Sequence, residues 1–223
     1  EKNPHPMMNS PKEALKQKEL MNMELAFNLL PYELIPFDFD TYFNSEMKNE
    51  SVVTNLETGE AQYLDEREDG DRLLDIVRAS CSIPFASKIA YVDDIPYLDG
   101  GVADSIPIKR ALELPNEKIV VIRTRGKDYR KSPVSRGMVA LYKKVYKNYP
   151  KAVKTMAFRN KVYNEQVEFL DEIEKEGKAF VINPMIKEPS RMEKDADKLI
   201  NFYEHGYDTM RYKLDEMMKY IEG

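Results

Sequence analysis

The sequence is short of several residue types, and each shortage narrows what the protein can be. Cys81 is the only cysteine among 223 residues, which rules out an internal disulfide and fits a reducing compartment such as the cytoplasm. A net charge of −5 lacks the basic excess of a nucleic-acid-binding face, so we expect no nucleic-acid partner. No apolar run approaches the about 18 residues that a membrane-spanning helix needs.

The residues that are present describe a folded protein with a heavily charged surface. Apolar residues make up 42% and charged residues 33% of the chain, and a chain of this length can bury one core. Strand and helix patterns alternate, which predicts an α/β fold. A core at residues 51–125 should follow a helical segment at residues 1–30 and precede a mainly helical remainder at residues 135–223.

Capping signals predict the two terminal helices. Ser10, Pro11 and Glu13 combine a serine cap, a proline in the first turn and a capping-box glutamate. The first helix should therefore start there and run to Leu30, before Pro31. A second capping box at residues 190–193 predicts a last helix that runs almost to the C-terminus.

Three further patterns predict strands. Residues 51–56 and 61–64 flank a turn and predict one hairpin, and residues 89–92 and 95–98 flank Asp93-Asp94 and predict another. The acidic loop between the hairpins should cap the helix that follows it. Residues 118–124 are rich in β-branched side chains, which predicts a parallel strand buried on both faces.

The strongest candidate site lies where the second hairpin ends. Its last strand delivers Asp99 to a bend made by Gly100 and Gly101. Glycine permits positive φ and leaves no side chain to shield the carboxylate, so Asp99 is a candidate general base. Asp-Gly-Gly is also a common turn, and a purely structural role is the alternative.

The order of the surrounding motifs carries a family resemblance. A helix ending in small residues, a hairpin, and then Leu98-Asp99-Gly100-Gly101 and residues 104–107 together resemble the second half of the patatin-like phospholipase domain. The resemblance runs from about Phe37 nearly to the C-terminus. It implies a three-layer αβα fold with a mostly parallel central sheet flanked by helices, and a lipid acyl hydrolase with a Ser-Asp dyad and no cofactor.

The same resemblance implies roles for individual residues. Asp99 carries the family's catalytic aspartate, and Gly100 and Gly101 complete its motif. The residues expected to line the pocket or its entrance are Ser80, Ser82, Ile83, Pro84 and Phe85. The substrate class implied is a lipid or another acyl ester.

The sequence also departs from the family pattern. None of its nine glycines begins a Gly-x-Ser-x-Gly elbow or a Gly-Gly-Gly-x-Arg loop, although acyl transfer needs an activated hydroxyl and oxyanion donors. The chain also begins at Glu1. We therefore expect the C-terminal portion of a single patatin-like domain, inactive alone, whose N-terminal part supplies the serine. The alternative is a catalytically silent binding module.

Two kinds of partner follow from this expectation besides the substrate. A missing central strand would leave an unpaired sheet edge, which favours retention of the N-terminal part or self-association. Lysines and tyrosines alternate over residues 142–154. Such a cluster can bind the anionic headgroups of phospholipids, so peripheral membrane contact is a second expectation. The alternative is that these lysines form the solvent-exposed side of an amphipathic helix.

Other constellations are weaker. Cys81 would need a nearby base and a lowered pKa to act as a nucleophile, and a buried small residue is the simpler interpretation. No sequence motif identifies His5 or His205 as the histidine of a Ser-His-Asp triad. The acidic loop at residues 65–71 and the aspartates at 93, 94, 99 and 104 contain oxygen ligands, but turn and capping roles explain them without a metal.

Overall fold

A computed structural model describes residues 8–190 and 193–223. The chain forms two compact units. The first contains the described residues up to Ser105 together with Pro133–Val162, and the second contains Ile106–Ser132 and the described residues from Tyr163 onward. The mixture of helices and sheets confirms the α/β character, while the single patatin-like domain stays a prediction.

The first unit is built on two β-hairpins. Strands β1 (Ser51–Asn55) and β2 (Ala61–Leu64) form one, and β3 (Ala90–Val92) and β4 (Ile95–Asp99) form the other. Antiparallel pairing of β1 with β4 joins them into a sheet of order β2-β1-β4-β3. Both predicted hairpins are therefore confirmed.

The mostly parallel central sheet is not confirmed, because this four-stranded sheet is antiparallel throughout. Two-residue turns can join only antiparallel strands. Asp93 and Asp94, at φ 50° and 63°, form such a turn, and positive φ at both positions matches the twist of a hairpin.

Helix α3 (Gly70–Ser80) packs on this sheet. Its N-cap is Asp69, whose carboxylate accepts hydrogen bonds from the backbone N–H groups of Asp71 and Arg72; this confirms that the acidic loop caps the helix. Leu73, Ile76 and Ala79 are the buried side chains of the helix. One core cluster contains Val53, Ile76, Ala79, Ala90, Val92 and Tyr97.

A second core cluster of this unit involves two later helices. Helix α5 (Arg136–Val145) and the first part of α6 (Pro150–Lys175) contribute its helical members. Its buried residues are Leu56, Leu98, Val102, Tyr142, Tyr146, Ala152, Val153 and Met156. Burial of both tyrosines means that the lysine–tyrosine cluster presents its lysines, rather than these two rings, to solvent.

The N-terminal helix is shorter than predicted. Ser10 and Glu13 form the expected capping box, but α1 (Pro11–Gln17) ends at Lys18, which has left-handed φ and ψ of 57° and 34°. A π-helix follows at Leu25–Leu34 and contains Pro31. The prediction of a helix ending before Pro31 is wrong, because the wider π-helical turn replaces the α geometry with which a proline ring clashes. Helix α2 (Phe39–Asn44) comes next.

The second unit contains one parallel strand pair. Strands β5 (Val120–Ile122) and β6 (Phe180–Ile182) pair in parallel, as predicted for residues 118–124. Burial on both faces is wrong, since Ile122 is 73% and Val120 36% exposed. Side chains alternate along a strand, and the core of this unit contacts Ile119 and Val121, so Val120 and Ile122 point away from it.

Helices complete the second unit. They are α4 (Ile108–Glu113), the later part of α6, and α7 (Ala196–Glu222). Helix α7 begins after Asp195, whose carboxylate accepts from the backbone N–H groups of Asp197 and Lys198. The predicted capping box at residues 190–193 includes Arg191 and Met192, which lie outside the described residues. The helix runs through Gly206 without interruption.

Candidate functional site

The backbone of Asp99 is hydrogen-bonded to two other segments of the chain. Its own N–H donates to the carbonyl of Ser82 at 2.8 Å, and its carbonyl accepts from the Thr54 hydroxyl at 2.8 Å. Within the sheet it lies opposite Val53 of β1. The end of α3 and the central strand β1 therefore both determine where the carboxylate lies.

The Asp99 carboxylate caps the short 3-10 helix Gly100–Val102. Its Oδ1 accepts a hydrogen bond of 2.6 Å from the Gly101 N–H. A Cβ on Gly101 would lie 2.9 Å from that oxygen, so the lack of a side chain does leave room for the carboxylate.

Gly100 serves a different purpose from the one predicted. Neither Gly100 nor Gly101 has positive φ, so the expectation of a left-handed bend at these residues is wrong. A Cβ on Gly100 would instead lie 2.3 Å from the carbonyl oxygen of Val52. Close approach of the turn to the backbone of β1 is thus the physical reason for this glycine.

Thr54 is a supporting residue that sequence reasoning missed. It is fully buried, and its hydroxyl donates to the Asp99 carbonyl while accepting from the Ala103 N–H at 3.2 Å. This single hydroxyl ties the strand end to the turn that follows it. A threonine in a β-branched strand is ordinary, so the only available signal was its position in β1.

The two serines among the predicted pocket residues donate their hydroxyl protons to backbone carbonyls. The Ser80 hydroxyl donates to the carbonyl of Val52 at 2.8 Å. Ser82 is 1% exposed, and its hydroxyl donates to the carbonyl of Arg78 at 2.8 Å. Both serines thus support the scaffold, and a role for either in lining a pocket stays a prediction.

The three residues after Ser82 are half-buried, and Phe85 is the best defined of them. Its ring stacks on Tyr142 with centroids 5.2 Å apart, and its backbone N–H donates to the Tyr146 hydroxyl at 3.3 Å. Phe85 has φ 68°, an uncommon conformation for a bulky residue. Packing against the two tyrosines therefore holds a strained backbone near the Asp99 loop, and a pocket role for Ile83, Pro84 and Phe85 stays a prediction.

Cys81 lies close enough to Asp99 to sense its charge. Desolvation of the sulfur and, second, the Asp99 carboxylate raise the pKa of the thiol, although the residue as a whole is exposed. A raised pKa is the opposite of what a nucleophilic cysteine needs. Cys81 is therefore not an activated nucleophile. The prediction that it is buried is wrong, because the residue is exposed at the end of α3.

Two other aspartates of this region, Asp93 and Asp104, have side-chain partners. Asp93 receives two donor atoms of Arg72, the closest at 2.7 Å, and Arg72 also contacts Glu66 at 2.7 Å. Asp104 accepts from the Tyr63 hydroxyl at 2.5 Å. Within residues 8–190 and 193–223, no cluster of three or more His, Cys, Asp or Glu side chains is placed to hold a metal ion.

His205 belongs to the second unit. Its Nε2 accepts from the N–H of Met185 at 3.0 Å and lies 3.3 Å from the Thr209 hydroxyl. These contacts are those of a helix-packing histidine that fixes the chain after β6.

Comparison with known proteins assigns the region around Asp99 to a family. Residues 10–112 match the family model described as Patatin-like phospholipase, which confirms the recognition. The match begins before Phe37 and ends at residue 112, so its bounds differ from the predicted extent of the resemblance, which ran nearly to the C-terminus. Residues 149–222 match the model described as Domain of unknown function (DUF6363). The patatin-like match supports a lipid-hydrolase kind of function.

One curated relative is similar over a short stretch. "Uncharacterized protein YjjU" of Escherichia coli (strain K12) is 46% identical over 52 residues, which is 23% of this chain and 15% of that protein. The matched stretch therefore spans less than a sixth of the relative. Among the helices of the described residues, none is both long and apolar enough to cross a bilayer.

Proposed function

We propose that this chain supplies the general base of a patatin-like serine acyl hydrolase that acts on lipid esters. The observation that carries the proposal is the position of Asp99 at the end of β4. Its N–H and its carbonyl are each hydrogen-bonded to another segment, and it lies in the stretch that matches the patatin-like model. The nucleophilic serine is proposed to lie outside these 223 residues, since none of the glycines begins the elbow motif.

The proposed chemistry is a two-step acyl transfer. The Asp99 carboxylate takes the proton of the serine hydroxyl as its oxygen forms a bond to the ester carbonyl carbon. When the ester C–O bond breaks, Asp99 returns the proton to the leaving alcohol. Water then attacks the acyl-serine, Asp99 takes a proton from it, and the serine regains that proton as the fatty acid leaves.

Two hydrogen bonds of Asp99 suit this role. The Gly101 N–H at 2.6 Å orients one carboxylate oxygen, and the Thr54 hydroxyl fixes the backbone on the other side. Orientation within about an ångström strongly affects rate. We further propose a cytoplasmic enzyme with peripheral membrane contact, consistent with the single cysteine and the exposed lysines of α5.

The decisive test is Asp99→Asn in a form of the protein that contains the serine. Asparagine keeps the shape and accepts the Gly101 hydrogen bond but is not a base, so kcat should fall about 10²–10⁴-fold with an unchanged Tm. Asp94→Asn is the matched control, because Asp94 sits in the hairpin turn at φ 63°, which asparagine tolerates. It should change kcat less than about tenfold.

The 223-residue chain alone should hydrolyse no ester above background. Full activity of Asp99→Asn would contradict the assignment of Asp99 to a catalytic dyad. Ester hydrolysis by the chain alone that is blocked by a serine-directed inhibitor would contradict the proposal that the serine lies outside it.

A second candidate is a silent binding module that keeps a patatin-like fold. The absence of a Gly-x-Ser-x-Gly from the sequence favours it. Sequence adjoining this chain in its gene discriminates the two, because an elbow motif there supports the enzyme. The module predicts that Asp99→Asn affects only stability, by about 0.5–3 kcal/mol.

A further inference from the structure

Helix α7 has three distinct faces. The first packs on its own unit: Thr209 is buried, and the Tyr220 hydroxyl accepts from the Ile119 N–H at 3.1 Å and donates to the Lys178 carbonyl at 3.0 Å. The second is polar and largely acidic, and includes Asp208 and Asp215. The third is apolar and exposed to solvent, which is unusual for a helix of a folded unit.

The exposed apolar face repeats with alternating spacings of three and four residues. Tyr203 is 75% and Tyr207 59% exposed, while Met210 and Met217 are half-buried. The positions in this repeat are Ile200, Tyr203, Tyr207, Met210, Leu214, Met217 and Ile221. A three–four alternation over three heptads is the spacing of a seam that packs against another helix.

The area of the seam and its flanks matches what a stable dimer needs. Seven apolar side chains of α7 are exposed by 41% to 75%. Taking about half of roughly 200 Å² for each gives about 700 Å² per copy, close to the about 800 Å² per partner of a standard interface. Exposed apolar patches on monomers rarely exceed a few hundred Å².

We propose that α7 is a dimerisation helix that packs antiparallel against α7 of a second copy of this chain. Helix α7 lies within the segment matched by the DUF6363 model, so the proposal gives that segment a role that is independent of acyl hydrolysis. The partner is a second copy of the chain, the contact is the apolar seam of α7, and the two helices run antiparallel.

Charge complementarity selects the antiparallel direction. With Tyr207 of one copy opposite Met210 of the other, Tyr203 faces Leu214. Glu204 of each copy then flanks the seam beside Arg211 of the other, which makes two symmetric ion pairs. Arg211 is already positioned along the seam, because its guanidinium lies 5.2 Å from the centroid of the Tyr207 ring.

A parallel pair lacks this complementarity. In a parallel dimer each residue on one flank faces the residue five positions later on the other flank. The facing pairs would be Leu199 with Glu204, Gly206 with Arg211, and Lys213 with Met218. None of these joins opposite charges, so the parallel arrangement gains no ion pair.

The first test measures molar mass by analytical ultracentrifugation of the 223-residue chain over a wide range of concentration. The wild type should dimerise, and Tyr207→Glu should weaken dimerisation about a hundredfold, because a charged side chain replaces an aromatic anchor at the centre of the seam. Tyr212→Glu is the matched control: Tyr212 is 76% exposed on the same helix but lies outside the seam, and its dimer should be unchanged.

The second test addresses direction. Glu204→Arg should weaken the dimer by placing like charges together, and adding Arg211→Glu should restore it, while circular dichroism verifies folding of each variant. Failure of the double variant to restore the dimer would overturn the antiparallel register. A wild type that stays monomeric, dimerisation indifferent to Tyr207→Glu, or a monomer that binds phosphatidylcholine vesicles through this face would overturn the proposal itself.

Discussion

Replacing Gly100 by alanine would place a methyl group against the central strand of the first unit. The added Cβ would lie 2.3 Å from the oxygen, 2.5 Å from the carbon and 2.7 Å from the Cβ of Val52. Favourable contacts between carbon atoms need about 3.5–4.0 Å, so the turn must move by about an ångström. Overpacking costs about 1–3 kcal/mol, and more where the neighbour cannot yield.

Val52 cannot yield easily. It belongs to β1, which is hydrogen-bonded to β2 on one side and β4 on the other. We therefore expect Gly100→Ala to cost about 3 kcal/mol, which lowers Tm by about 6–12 °C in a chain of this size. The displaced turn also carries Asp99, so the candidate base should lose its alignment together with its stability.

Thermal unfolding followed by circular dichroism measures this, with Gly206→Ala as the control. A Cβ on Gly206 would meet no atom within 4 Å, and alanine in a helix interior is favoured over glycine by about 0.5–1 kcal/mol. The same chemical change should thus raise Tm at Gly206 and lower it at Gly100. An unchanged or raised Tm for Gly100→Ala would contradict the close approach to Val52.

Two further predictions concern titrating groups. Burial alone would raise the pKa of Glu66, but the backbone N–H of Glu68 and the Arg72 side chain outweigh it and lower the pKa to about 2. Because the pKa of Glu66 is lower in the folded state, its ionised form stabilises the fold above the ordinary pKa, and this stabilisation is lost as pH falls from about 4.5 to 2. Glu66→Gln should therefore make Tm fall less steeply between these pH values, and curves of Tm against pH that are parallel for variant and wild type would contradict this. Since the Asp99 charge helps to raise the pKa of the Cys81 thiol, Asp99→Asn should shift the pH profile of thiol modification to lower pH, and an unshifted profile would show that the two groups do not interact.

Local signals in the sequence predicted what depends on local chemistry. Two-residue and four-residue turns between alternating strands located both hairpins, and the Ser10 capping box located the start of α1. Asp99 was predictable because a strand end followed by two glycines is itself a local pattern. Its contacts were not, because Thr54 and Ser82 reach it from 45 and 17 residues away.

Features that depend on long-range packing were missed. A helix-like apolar pattern continues from Ser10 to Leu30, yet the chain turns at Lys18 and the π-helix then accommodates Pro31. The β-branched run at residues 118–124 has strand propensity but no information on which face is covered, and Ile122 is exposed. Propensity identifies a strand, whereas burial depends on neighbours that a single stretch of sequence does not contain.

The position of Asp99 is therefore a property of the whole first unit. The Ser82 carbonyl fixes its N–H, the Thr54 hydroxyl fixes its carbonyl, and the Gly101 N–H fixes Oδ1. These groups come from the end of α3, from β1 and from the turn. A change that loosens any of them displaces the carboxylate. Under the proposed mechanism proton transfer depends steeply on the position of the carboxylate, so substitutions in this scaffold should lower activity as well as Tm. Residues without a recognisable motif therefore matter to the proposed site as much as the motif does.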